Sequence, residues 1–175
     1  MKTITLITNS EILSLEDTVK LSKKLSRKGL NRIQIRERNI SHTSLTNFIK
    51  KMKDSIEESC ELFINGNLDL AIENNLNGVH FPEKYQINEY QNKENLILGR
   101  SIHENTDLNK HQKKFDYYHL GPIFVTQSHP NQNTIKEKNI SYISRKLSNV
   151  IFVGGININN VSKLLKYNFS GIAIM

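Results

Sequence analysis

Short β-rich runs alternate with amphipathic stretches along the whole chain, at a spacing of roughly 20 to 30 residues, and this rhythm limits the fold more than any other feature. The strand candidates are Thr3 to Thr8, Arg32 to Arg36, Glu61 to Ile64, Gly78 to Phe81, Leu96 to Gly99, Tyr117 to Leu120, Val150 to Val153 and Gly171 to Met175. Apolar residues at spacings of three and four mark helices between them, clearest in Val19-Leu21-Leu25 and in Leu45-Phe48-Ile49-Met52-Ile56. Later helices are expected over Leu68 to Asn74 and Val161 to Tyr167, the last beginning near Asn157 and Asn160 after Gly154-Gly155.

Eight strands joined by right-handed helical crossovers leave two topologies, a closed barrel or an open doubly wound sheet. The count favours the barrel. No Gly-x-Gly-x-x-Gly follows the first strand, and no Gly-x-x-x-x-Gly-Lys occurs anywhere, so the usual nucleotide loops of open sheets are missing. The expected class is therefore α/β, a (β/α)8 TIM barrel with its eighth helix missing, because the chain stops on the eighth strand. Either the barrel is naturally clipped, the sequence is truncated, or a neighbouring subunit covers the apolar face, which would make a homo-oligomer.

A length of 175 residues suits one domain, 1–175, with a real core. No apolar run approaches the roughly 18 residues of a membrane span, and the apolar alternation from Met1 to Asn9 is too short for a signal peptide. A cytoplasmic location is expected. Cys60 is the single cysteine and heads a strand, so it reads as structural. The formal charge of +7 favours anionic partners. Cations such as Lys20, Lys23, Lys24, Arg27 and Lys28 are spread over helix faces, without an arginine-rich arm or aromatic platform. Small phosphates thus rank above nucleic acid, and no membrane partner is expected.

In a barrel, chemistry gathers at the carboxyl ends of the strands. The second strand delivers Gln34, Arg36 and Arg38 on one face while Ile33 and Ile35 take the other. Two guanidinium forks on a shared face suit a bidentate anion; the bland alternative pairs them with Glu37 or Asp69. The third strand ends in Asn65-Gly66-Asn67, which is also an ordinary turn sequence. His80 ends the fourth, and Ser101 and His103 follow the fifth. Gly121-Pro122-Ile123-Phe124-Val125-Thr126-Gln127-Ser128 follows the sixth, offering Thr126 and Ser128 to an anion. Gly154-Gly155 after the seventh could present backbone N–H groups to a phosphate, with Asn157 completing the pocket. His80, His103 and His119 form no pair at helical metal spacing and read as packing or capping residues.

Together these residues resemble the thiamine-phosphate synthase family and its sister group of thiazole tautomerases, over nearly the whole chain. The likeness rests on Ile33-Gln34-Ile35-Arg36-Glu37-Arg38, Phe63-Ile64-Asn65 with Asp69-Leu70-Ala71, Asn77-Gly78-Val79-His80, and Leu98-Gly99-Arg100-Ser101. It continues through Asp116-Tyr117, Leu120-Gly121-Pro122-Ile123-Phe124-Val125-Thr126 and Val153-Gly154-Gly155-Ile156 with Asn160. The resemblance implies a transferase that joins hydroxymethylpyrimidine pyrophosphate to thiazole phosphate and releases pyrophosphate. It implies that Gln34, Arg36 and Arg38 hold the pyrophosphate, that Asn65 and Ser101 orient the pyrimidine, and that Thr126, Ser128, Gly154 and Gly155 meet the thiazole phosphate. Arg36, Arg38 and Ser101 are the residues expected to carry catalysis.

The family's magnesium is held by two aspartates, and here those places carry Gly66 and Tyr85. Glu83 is a candidate substitute carboxylate, though nothing in the spacing requires it. The family lysine after the paired hydroxyls is His129, and the loop after the eighth strand is absent. Losing both carboxylates implies a weakened synthase, down roughly 10³-fold or more. The alternatives are a metal-independent tautomerase, with His80, His103 or His129 as acid or base, and a non-catalytic phosphate-binding relative. The tautomerase's typical histidine falls on Pro122.

Overall fold

The computed structural model describes residues 2–85, 96–108, 115–126 and 133–175. Its order is β1 (Thr3–Ile7), α1 (Leu15–Ser26), β2 (Arg32–Ile35), α2 (His42–Lys53), β3 (Glu61–Asn65), α3 (Leu68–Glu73), β4 (Gly78–Phe81), β5 (Ile97–Ile102), β6 (Tyr117–Leu120), α4 (Glu137–Lys146), β7 (Val150–Val153), a 3₁₀ helix (Val161–Lys166) and β8 (Gly171–Ile174). Each strand pairs in parallel with the next, and β8 pairs with β1 through Thr3–Gly171, Ile4–Ile172, Thr5–Ala173 and Leu6–Ile174. That last ladder closes the barrel and removes the open-sheet alternative.

Local chemistry starts the helices. Ser14 Oγ accepts the Asp17 N–H at 3.1 Å, Ser41 Oγ that of Ser44 at 3.2 Å, and Asn67 Oδ1 that of Leu70 at 3.0 Å. Between helices and barrel lies the larger core, where Phe48, Ile49 and Met52 of α2 join Ile33 and Ile35 of β2 in one buried cluster. Alternate strand residues face inward, so the lumen holds Ile7, Phe63, Tyr117, Ile151 and Ala173. Gly78 and Gly99 leave the space those rings fill: a Cβ would lie 2.4 Å from Phe63 at the first and 2.0 Å from Tyr117 at the second. At the amino ends of the strands, Arg32 closes the lumen. Its Nη2 meets Glu61 at 2.7 Å, and its Cζ lies 4.0 and 4.6 Å from the ring centroids of Phe63 and Tyr117.

Three elements differ from expectation. β5 runs on to Ile102, so Ser101 stands within the strand rather than after it. The stretch from Val161 to Lys166 is a 3₁₀ helix, tightened between Asn160 and the extended Tyr167. The sequence also gives no start signal for α4, because its cap residue Lys136 makes no side-chain capping bond. Glu104, 32 positions earlier, accepts the Lys136 N–H at 3.2 Å and the Asn139 amide at 2.6 Å instead. Cys60 is buried, and desolvation pushes its thiol up to about 11, in keeping with a structural role.

Candidate active site

A cavity of about 410 Å³ opens at the carboxyl ends of the strands. Gln34, Arg36, Arg38, Asn65, Ser101, Thr126 and Gly154 all line it, so β2, β3, β5 and the loops after β6 and β7 converge on one space. Ser128 lies outside the described residues, as does His129. Gly155 stands apart from the lining: its φ is +64°, and a Cβ there would meet the Val125 and Phe124 carbonyl oxygens at 2.3 and 2.8 Å. The left-handed turn at Gly154 and Gly155 thus serves close packing against the loop after β6. Asn157 is also outside the lining. Its amide donates to the Gly155 carbonyl at 3.3 Å.

The arginines are not tied to the carboxylates that the bland alternative offered. Neither guanidinium has a hydrogen bond or ion pair among the described residues, while Glu37 instead accepts from Thr8 Oγ1 at 2.5 Å and the Ser10 N–H at 2.8 Å. Burial first, and then the neighbouring Arg38, lower the Arg36 pKa from its ordinary value. Two cations on one cavity wall, Arg36 partly buried and Arg38 exposed, without a partner among the described residues, are an arrangement that suits a polyanion. Below them Gln34, 2% exposed, donates to Asn65 Oδ1 at 3.2 Å, and its Oε1 is buried without a partner.

The floor is neutral. His80 is 1% exposed, and burial, aided by the Arg32 charge, pushes its pKa down to about 3. His119 is likewise held well below its ordinary value by burial, by His80 and by Arg32. His103 stands at the rim with Nδ1 2.6 Å from the Gly121 carbonyl oxygen. A carbonyl can only accept, so Nδ1 carries a proton, and in the neutral ring Nε2 holds the lone pair. The Gly121–Pro122 peptide beside it is cis.

The described residues do not fit a magnesium ion held by protein carboxylates. Among the described residues no three His, Cys, Asp or Glu side chains form a metal-holding group, and Glu11 is the one carboxylate that lines the cavity. Gly66 has φ +73°, a backbone that disfavours any side chain. Tyr85 stacks on Phe81 with ring centroids 4.1 Å apart. Glu83 is absent from the lining; its carboxylate accepts from Thr106 Oγ1 and its carbonyl from the Arg100 guanidinium.

Several lining residues escape sequence reasoning. Asn9, Ser10 and Glu11 enter from the loop after β1, and Asn39, whose amide meets Glu11 Oε1 at 3.1 Å, from the loop after β2. Nothing local distinguishes them from surface turns. His119, read from the sequence as a packing residue, packs on His80 and also lines the cavity, since strand alternation puts it on the same inward face as Tyr117.

No described helix is long and apolar enough to cross a membrane. The family model described as thiamine monophosphate synthase matches residues 4–175. A thiamine-phosphate synthase of Clostridium tetani is 30% identical over 99% of this chain and 86% of its own length. A putative thiamine-phosphate synthase 2 of Aquifex aeolicus is 28% identical over 90% of this chain and 88% of its own. The thiamine phosphate pyrophosphorylase of Pyrococcus furiosus superposes with a TM-score of 0.82 at 25% identity, covering 98% of this chain and 84% of that one. With this fold and a match over nearly all of its length, the chain belongs to the thiamine monophosphate synthase family, enzymes that act as transferases in thiamine biosynthesis.

Proposed function

We propose that this protein joins hydroxymethylpyrimidine pyrophosphate to thiazole phosphate, releasing pyrophosphate and forming thiamine phosphate. The observation that carries the reading is the pair of guanidinium groups without a partner among the described residues, Arg36 and Arg38, on one wall of a cavity whose other walls hold Asn65, Ser101, Thr126 and Gly154. The pyrimidine's methylene carbon–oxygen bond breaks with its electron pair leaving on pyrophosphate, and the thiazole nitrogen lone pair forms the new carbon–nitrogen bond. Charge therefore grows on the leaving oxygens, where Arg36 and Arg38 meet it. Gln34 and Asn65 brace each other beside the ring site. Thr126 and Gly154, with Ser128 and Gly155 in their loops, receive the thiazole phosphate. Glu83 holds no metal in this reading, so turnover is weak.

The test is thiamine phosphate formation from the two substrates, with magnesium and again with a chelator, in the wild type and in Arg36→Ala. Product that depends on Arg36 supports the proposal. No product under either condition from folded protein overturns it.

His103 favours a second reading, a thiazole-phosphate tautomerase that works without a metal. Its ring stands at the cavity rim, where Nε2 of the neutral form would act as the base, whereas His80 is too buried to exchange a proton near neutral pH. Isomerisation of thiazole phosphate that survives Arg36→Ala and fails in His103→Gln selects this reading, because only the synthase must grip a pyrophosphate.

A further inference from the structure

His80 on β4 is enclosed, yet both of its ring nitrogens have partners. Nδ1 lies 3.1 Å from Tyr117 Oη and Nε2 lies 2.9 Å from Ser101 Oγ. Tyr117 belongs to β6, two strands away. Between them β5 contributes Gly99, which pairs with His80 on one side and with Tyr117 on the other. A Cβ at Gly99 would lie 2.0 Å from the Tyr117 ring, so bare backbone is what lets the phenol reach across β5. His119, two residues on along the same inward face, stacks on His80 with ring centroids 4.1 Å apart. The imidazole is thereby held at an edge, a face and both nitrogens.

Hydrogen-bond counting then sets the direction of the line. His80 is neutral, so one nitrogen donates and the other accepts. Were Nδ1 the donor, the Tyr117 O–H would need another acceptor, and Tyr117 makes no other side-chain bond to an acceptor among the described residues. A buried hydroxyl proton without a partner is costly. The opposite polarity satisfies every group: Tyr117 O–H donates to Nδ1, and Nε2–H donates to Ser101 Oγ. Ser101 has then accepted its bond from the protein, and its own proton is directed at the cavity it lines.

We propose that Tyr117 and His80 are positioning residues that make Ser101 a hydrogen-bond donor to the ligand, so that Ser101 takes an acceptor atom and not a ligand N–H. The identity of that ligand, the pyrimidine pyrophosphate, rests on the synthase reading. Its acceptors are the ring nitrogens and the phosphate oxygens.

The experiment is ¹⁵N NMR of histidine-labelled full-length protein, which distinguishes a protonated ring nitrogen from a bare one. The wild type is expected to show His80 with Nε2 protonated and Nδ1 bare, and the Nδ1 resonance should move to the free, non-bonded position in Tyr117→Phe. Nδ1 protonated in the wild type, or an Nδ1 resonance that ignores Tyr117→Phe, overturns the proposal; the first result decides even where the variant does not fold. Turnover in Tyr117→Phe should fall about tenfold, the scale of one misdirected hydrogen bond. Binding of inorganic pyrophosphate and of hydroxymethylpyrimidine, each alone, to wild type and Ser101→Ala then identifies the acceptor. About tenfold weakening of either supports a donating Ser101, and weakening of neither overturns it. The expected tautomer in a chain that makes no thiamine phosphate sinks the synthase reading alone, whereas a protonated Nδ1 in an active chain sinks this one alone.

Discussion

Arg32, Arg36 and Arg38 belong to one strand and its extension, at even spacing on one face, yet they live in opposite surroundings. Arg32 is paired through Nε and Nη2 with Glu61, at 2.8 and 2.7 Å, and sandwiched between Phe63 and Tyr117. Arg36 and Arg38 line the cavity with no partner among the described residues. The first arginine is part of the scaffold, and the other two face the cavity, where the synthase reading gives them a ligand. Neutral His80 and His119 lie in the barrel between the two regimes. A residue type repeated along one strand face therefore says nothing about role until its partners are known.

The sharpest way to break this contrast is Arg36→Ala. Turnover should drop about 10²- to 10³-fold, the usual loss for one donor that meets developing charge, while a urea melt stays within about 0.5 kcal/mol of wild type. A comparable fall in stability would show that Arg36 is scaffold after all. The reverse pattern is expected of Arg32→Met, which leaves Glu61 without its cation. Glu61 is one-third exposed, so water softens the loss, and a cost of about 2 to 3 kcal/mol is expected in the same melt.

Inorganic pyrophosphate sharpens the comparison from the ligand's side. At 100 times its dissociation constant it should stabilise the wild type by about 2.7 kcal/mol, and the gain should vanish in the Arg36→Ala, Arg38→Ala double variant. Equal stabilisation of both proteins would place the anion elsewhere. The smallest effect concerns the neutral layer. Its histidines titrate at the ordinary 6.5 when unfolded but at about 3, for His80, when folded. Above pH 6.5 both states are neutral and nothing changes; below it only the unfolded chain takes up the proton, so stability falls as pH drops towards 3. Between pH 6.5 and 5 the loss should be about 1 to 2 kcal/mol for His80, and His80→Gln should flatten that limb of the stability curve.

All eight strands were legible, because period-two alternation and βα spacing are local signals; most boundaries held, a few moved by one residue, and the end of β5 moved by three. Gln34, Arg36 and Arg38 were legible as one face for the same reason. What stayed hidden depends on distant partners. α4 is capped by Glu104 rather than by its own first residue, so no sequence signal marks its start. Whether a strand arginine meets Glu61 or an open cleft is settled by the register of the neighbouring strand, which pairs Arg32 with Glu61. The role of His80 depends on a tyrosine two strands away. A lone histidine in a strand carries no trace of that.

The empty position at Gly99 also orders the history of the site. A side chain cannot appear there while Tyr117 keeps its phenol in this place, since the two would occupy one volume, and all three nearest atoms belong to that phenol. The ring must shrink first, and once a larger residue has settled at 99 the phenol has no way back. The substitution acts as a ratchet. In any relative with this barrel, the residue aligned with Gly99 reports from sequence alone whether a phenol can still cross β5.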